Sequence, residues 1–269
     1  MGVTHLCFGL SYLAALLLEV IQAVRPNRWL KVASLLSGGA GLVAHTLFLL
    51  IHKPTPASAY GSLLLLAWVF AVFYLIGSLH RGRPWGVFVL PLVIALVVLS
   101  FAFKAPPGEA EPGAGAWYTG EHFWGAVHGS LILAASVGIT VAFLASVMYL
   151  LQSRRLRQKR NPIGGMKLLS LERLETMSRR GINIAFPLLT AGLLLGLLLV
   201  EKEGASAAGW ATPKVIGTVG LWLLGVLLLY LRYGAHLAGR RLALLTIVAF
   251  GLLLMTLVAS HPFAHGDLR

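Results

Sequence analysis

The residues best able to do chemistry in this 269-residue chain are its nine histidines. Neutral imidazole is a strong ligand for iron and the side chain most easily switched near neutral pH. Two histidines fall inside apolar stretches: His45, six residues from one end of the second stretch, and His128, five residues into the fifth. At 1.5 Å per helical residue both lie roughly 8 to 9 Å deep. Trp124 and Gly125 precede His128 by about one turn, and Trp117, Tyr118 and His122 stand just upstream. Aromatic and imidazole groups gathered this way could cover a flat macrocycle; they also suit an interfacial aromatic belt. His45 follows Ser37, Gly38, Gly39, Ala40 and Gly41, small residues that allow close helix packing and give it a structural reading as well. Cys7 is the single cysteine, which excludes a disulfide framework, a Cys-x-x-Cys pair and a thiolate zinc cage. Glu19 is the only acid within an apolar stretch, poor material for an ion-coupled transporter, which needs several buried ionisable groups.

The elements that must position these groups are membrane spans. Hydrophobic residues make up 58% and charged residues 12% of the chain, with a mean hydropathy of +0.82, which excludes an ordinary soluble domain. Eight apolar windows are each long enough for a bilayer core of about 30 Å: 4–24, 32–51, 58–79, 85–103, 123–151, 181–200, 210–231 and 242–260. The fold class expected is all-α, a polytopic bundle of eight spanning helices. It divides into four N-terminal helices over 1–103 and four more over 123–269, within a single integral membrane domain. The first window lacks a basic n-region and a small-residue cleavage site, so it reads as a span and not as a signal peptide.

Loop charge sets the orientation. The loops after spans one, three, five and seven hold 17 of the 22 Lys and Arg residues, including the run Arg154, Arg155, Arg157, Lys159 and Arg160. By the positive-inside rule these loops are cytoplasmic and both termini lie outside. The net charge of +13 is thereby assigned to the inner face and to anionic lipid there, with no need for nucleic acid. The same orientation places six of the nine histidines outside: His5, His52, His122, His128, His261 and His265. In the longest inner loop, residues 166–180 alternate leucines with Lys167, Arg173, Arg179 and Arg180, the pattern of a basic amphipathic helix lying on the membrane surface.

Three stretches carry a family resemblance. WGAVHGSLILAASVGITVAFLASVMYLLQ from Trp124, followed by SLERLETMSRRGINIAFPLLTAGLLLG from Ser170, resembles the cytochrome c assembly protein family of heme-handling membrane proteins. WATPKVIGTVGLW from Trp210 is similar to a reduced copy of that family's tryptophan-rich outer segment. GRRLALLTIVAFGLLLMTLVASH from Gly239 is similar to its last helix. Ala211 and Thr212 stand where aromatic and acidic residues are expected, and Tyr230 stands near the position of a second internal histidine.

The resemblance implies a heme-handling protein of cytochrome c biogenesis. It would bind or export heme and present it at the outer face for attachment to apocytochrome c, as an assembly factor or heme chaperone more than a stand-alone enzyme. The heme would be b-type and non-covalent, bound stably or in transit. His128 resembles the first outer iron ligand, and His261 or His265 the second. Trp210 and Trp124 would lie against the ring, and His45 is similar to an internal histidine that holds heme within the membrane. The location implied is the cytoplasmic membrane, with the cytochrome c assembly machinery as partner. Two other readings remain open from the residues: a b-type heme electron-transfer protein, which needs stacked histidine pairs, and a cofactor-free regulatory membrane partner.

Overall fold

The computed structural model describes residues 5–54, 58–81, 86–103, 123–158, 169–202, 213–235, 237 and 239–259. All regular elements among them are helices, with no strand. The helices are α1 (His5–Val24), α2 (Arg28–His52), α3 (Ala59–Arg81), α4 (Gly86–Phe101), α5 (Phe123–Arg157), α6 (Leu171–Lys202), α7 (Pro213–Tyr233) and α8 (Gly239–Val258). Seven of the eight are long and apolar enough to cross a membrane, so the chain is a multi-pass membrane protein. The exception is α4, whose 16 residues span about 24 Å, short of the bilayer core. Pro91 lies inside it, and Val89, Leu90, Leu92, Val93, Leu96 and Val97 are all buried among neighbouring helices. The 85–103 window thus yields a buried apolar helix over Gly86–Phe101, Trp85 lying outside the described residues.

Local chemistry sets the breaks. Pro26 follows the end of α1, and the Asn27 side chain then caps α2 by accepting the Trp29 amide at 2.9 Å. At the other end of α2, Lys53 adopts a left-handed conformation (φ 43°) directly before Pro54, its amide donating to Leu49 O. Ser58 caps α3 through the Gly61 amide, and Pro213 opens α7, where its missing N–H costs nothing.

The helices pack in two groups. In the first, α1 lies against α2 and α4, and α3 against α2 and α4; in the second, α5 lies against α6 and α8, and α7 against α6 and α8. Contacts of α3 with α5 and α8, and of α4 with α5, join the groups. The most extensive interface is α5 with α6. At its crossing a Cβ built on Gly181 would stand 2.7 Å from Gly138 O, so the two backbones touch with no room for any side chain.

Of the stretch expected as a surface helix, residues 166–168 lie outside the described residues, and the part from Leu171 to Arg180 is instead the start of α6. It runs without a break from Leu171 through the apolar segment beyond Gly181. Its apolar side faces protein: Leu174 is fully buried, and Ser178 Oγ lies 3.2 Å from Ser146 Oγ of α5. At 35 and 32 residues, α5 and α6 are about 52 and 48 Å long and extend together past an apolar core of about 30 Å. They do so at the end of the bundle that carries Arg154, Arg155, Arg173 and Arg180, called the arginine end below. The opposite end, with His5, His52 and Phe123, is the histidine end.

Candidate heme site

His128 sits on the second turn of α5 at the histidine end, half-buried against α6. Its Nδ1 lies 2.8 Å from the carbonyl oxygen of Gly192. A carbonyl only accepts, so Nδ1 carries the proton and Nε2 keeps its lone pair. Metal-binding histidines are typically oriented in this way by a second-shell acceptor. The ring lies close over Gly196, where a built Cβ would meet His128 Cε1 at 2.7 Å. The seat for the imidazole is therefore the Gly192-x-x-x-Gly196 groove of α6. Trp124, one turn earlier on the same face of α5, is exposed.

His45 has a different setting. It is fully buried on α2, stacked on Phe8 at 4.3 Å with an interplanar angle of 2°, and its Nδ1 is 3.3 Å from the Tyr12 hydroxyl. Its Nε2 is buried with no hydrogen-bond partner. That orphaned nitrogen suits a metal, but a ring at 0% exposure with Phe8 on one face leaves no space for a macrocycle. The hydrogen-bond and ring partners of His45 come from α1, and that of His128 from α6; the two imidazoles belong to separate helix groups.

Three residues beside His45 escaped the sequence reading as a cluster: His5, Tyr12 and Tyr60. His5 Nε2 hydrogen-bonds the Tyr60 hydroxyl, and the His5 ring lies 4.2 Å from Phe48 and 4.9 Å from Phe101. A signal for it was present in the spacing. Residues 5, 8 and 12 on α1 and 45, 48 and 52 on α2 both follow i, i+3, i+7, which puts each aromatic-histidine set on one helix face.

Trp210, His261 and His265 lie outside the described residues. Tyr230 is 65% exposed and points away from the bundle, so no internal site forms at that position. Trp222 packs inward, donating to Thr190 Oγ1 at 3.0 Å. Glu19, the lone intramembrane acid, is buried and helix-paired: Ser34 Oγ donates to it at 3.0 Å, and the Tyr74 hydroxyl lies at 3.4 Å. Among the described residues no group of three or more His, Cys, Asp or Glu side chains is arranged to hold a bare metal ion. Of the residues singled out in the sequence, His128 with Trp124 therefore brings together an imidazole nitrogen left without a hydrogen-bond partner among the described residues and an exposed indole one turn away.

A polytopic helical membrane protein with an oriented imidazole at one membrane face defines the class. The family model described as "Cytochrome C assembly protein" matches residues 57–264, and the chain belongs to that family. The match begins just ahead of α3, earlier than the Trp124 start of the resembling stretches, and leaves His5 and His45 before it. Similar curated proteins include "Cytochrome c biogenesis protein CcsA" of Prochlorococcus marinus (strain MIT 9312), 26% identical over 221 residues that cover 74% of this chain and 70% of the relative. The proteins of the same name from Synechococcus elongatus (strain ATCC 33912 / PCC 7942 / FACHB-805), 26% identical over 239 residues with 72% of each chain covered, and from Mesostigma viride, 24% over 220 residues with 74% and 71% covered, are comparable. No solved structure matches significantly.

Proposed function

We propose that this protein handles heme as cargo in cytochrome c biogenesis, exporting or receiving it through the bundle and presenting it at the outer face for attachment to apocytochrome c. The observation that carries the reading is the His128 imidazole, fixed by Gly192 so that Nε2 is free for iron. Trp124, exposed one turn before His128, offers an indole to the ring. The cargo supplies iron for one imidazole bond on this side. A second ligand would come from His261 or His265, with Trp210 against the ring.

The reading takes the histidine end as the outer face of the cytoplasmic membrane, because the opposite end holds most of the Lys and Arg. Heme held in this way is b-type, bound without a covalent link to the chain, and it passes to apocytochrome c or a membrane partner of the assembly machinery. Anionic lipid neutralises the arginine end.

The test is spectroscopic. Protein purified from heme-replete membranes should show a Soret band that falls with His128→Ala and recovers when imidazole is added. Absence of heme from the wild-type protein, or a Soret band indifferent to His128→Ala, would overturn the reading.

A further inference from the structure

A groove of about 880 Å³ runs between α3, α5 and α6, within the size range of small-molecule sites. It is open along one side: Phe73 of α3, Ala134 of α5 and Ile184 of α6 line it and are exposed, so its apolar part faces the surface that bilayer chains cover. Gly138 and Gly181, the glycines of the α5–α6 crossing, also line it and put no side chain into it. The lining changes character along α6. Ile184 and Gly181 belong to the apolar segment, Arg180 opens the polar one, Thr176 stands one turn further on, and Glu172 and Arg173 follow one turn after that. Residues 172, 176 and 180, and beside them 173, 177 and 181, each follow i, i+4, i+8, so both rows keep to the groove side of the helix.

An occupant that is apolar at one end and anionic at the other, and that needs no enclosure, is a membrane lipid. Its acyl chain can lie in the apolar half, because neighbouring chains of the bilayer cover the open side. Toward the arginine end, a guanidinium fork suits a phosphodiester. Charge then decides the headgroup. Two arginines and one glutamate leave the mouth of the groove at +1, which a single phosphodiester neutralises when the rest of the headgroup is uncharged. An ammonium headgroup would restore the positive charge and bring it beside Arg173. Headgroup hydroxyls would instead donate to the Glu172 carboxylate, which only accepts.

We propose that this groove holds one anionic phospholipid of the phosphatidylglycerol type, with its phosphate between Arg173 and Arg180, its headgroup hydroxyls at Glu172, and an acyl chain along Val137, Val141 and Ile184. Basic pockets between membrane helices on the cytoplasmic side bind anionic headgroups in this manner. The proposal rests on the reading that anionic lipid neutralises the arginine end, and gives that diffuse attraction a single seat. Phe73 comes from the first helix group, while α5 and α6 belong to the second. The bound lipid therefore bridges the two groups and, by binding the folded bundle alone, stabilises it.

The experiment titrates the full-length protein in detergent with phosphatidylglycerol and with phosphatidylethanolamine of identical acyl chains, counting bound lipid by native mass spectrometry and following the melting temperature. Phosphatidylglycerol should bind first, as one equivalent, and raise the melting temperature. Arg173→Gln with Arg180→Gln should raise its half-saturation by roughly tenfold or more, the scale of losing one charge-assisted hydrogen bond. Ala134→Trp, which fills the groove and keeps both arginines, should weaken binding as well. Glu172→Gln should leave it unchanged or tighter, since an amide oxygen still accepts a hydroxyl. All four positions are exposed, and lipid-free melting temperatures equal to that of the wild type confirm that folding is intact.

An unchanged half-saturation in the double-arginine variant overturns the site. Binding that falls in that variant but is indifferent to Ala134→Trp also overturns it, and leaves standing only a general attraction of the arginine end for anionic lipid. Phosphatidylethanolamine that binds as tightly as phosphatidylglycerol and is weakened by Glu172→Gln overturns it in favour of a zwitterionic headgroup. A wild-type protein that retains neither lipid overturns the site and the anionic-lipid reading together.

Discussion

The Nδ1 atom of His128 and the carbonyl oxygen of Gly192 are 2.8 Å apart across the α5–α6 interface, which assigns the imidazole proton and frees Nε2. The same interface supplies the ring's seat, because Gly196 one turn further on has no side chain. Gly196→Ala would place a methyl carbon 2.7 Å from Cε1 and push the imidazole out of line. Alanine also improves helix propensity by about 1 kcal/mol over glycine. Heme retention should therefore weaken by roughly 10- to 100-fold, the range for lost second-shell support, while the melting temperature does not fall. A hemin titration and a thermal melt on the same sample check both halves.

A second prediction concerns the crossing that holds α5 on α6. At Gly181 the obstacle is backbone, Gly138 O, which cannot rotate away as a side chain would. Gly181→Val should cost about 1–3 kcal/mol, the usual scale of overpacking. Gly39→Ala, where nothing stands within 4 Å of the added carbon, should be neutral or stabilising. Comparing the two by thermal unfolding in one detergent separates a packing effect from a general intolerance of substituted glycines.

The helices themselves were legible because a bilayer demands about 20 consecutive apolar residues, a signal that survives without any knowledge of neighbours. What the sequence does not settle is decided by neighbours. The leucine and arginine stripe of 166–180 satisfies a lipid surface and a protein groove equally, and the presence of α5 beside Leu174 and Ser178 settles it for protein over the described part. Equal depth for His45 and His128 follows from counting residues, but depth carries no azimuth, and the two rings turn toward different helix groups. The seat of His128 was partly visible as Gly192-x-x-x-Gly196, a close-packing motif in the sequence whose partner only the α5–α6 contact identifies.

Glu19 provides a third test. Its Oε1 atom receives Ser34 Oγ at 3.0 Å and faces the Tyr74 hydroxyl at 3.4 Å, while Ser34 and Tyr74 are themselves 2.7 Å apart. An amide oxygen can accept the same two hydroxyls, so Glu19→Gln should stay within about 0.5 kcal/mol of wild type. Tyr74→Phe removes the hydroxyl that both partners share and should cost about 1–2 kcal/mol, as interhelical hydrogen bonds in membranes do. Chemical denaturation in mixed micelles reads the difference. A Glu19→Gln variant as unstable as Tyr74→Phe would mean that the charge itself has a structural role.

The last prediction concerns the orphaned Nε2 of His45. The atom is buried without a partner, and Phe8 lies flat on the ring at 4.3 Å, so the nitrogen is chemically ready and sterically closed. Heme bound by the wild-type protein should accordingly depend on His128 and persist in His45→Phe, which keeps an aromatic ring against Phe8. Space beside His45 can be made by shortening Phe8. Phe8→Leu replaces the flat phenyl with a smaller branched side chain at a tolerable cost in packing, whereas Phe8→Ala would risk about 3–5 kcal/mol. If the phenyl is what closes the site, Phe8→Leu should gain heme that is lost again in Phe8→Leu/His45→Phe, counted per polypeptide by the pyridine hemochrome assay. Heme that disappears from the otherwise wild-type His45→Phe protein would show instead that the ring opens unaided, and that His45 belongs to the heme path of the native protein.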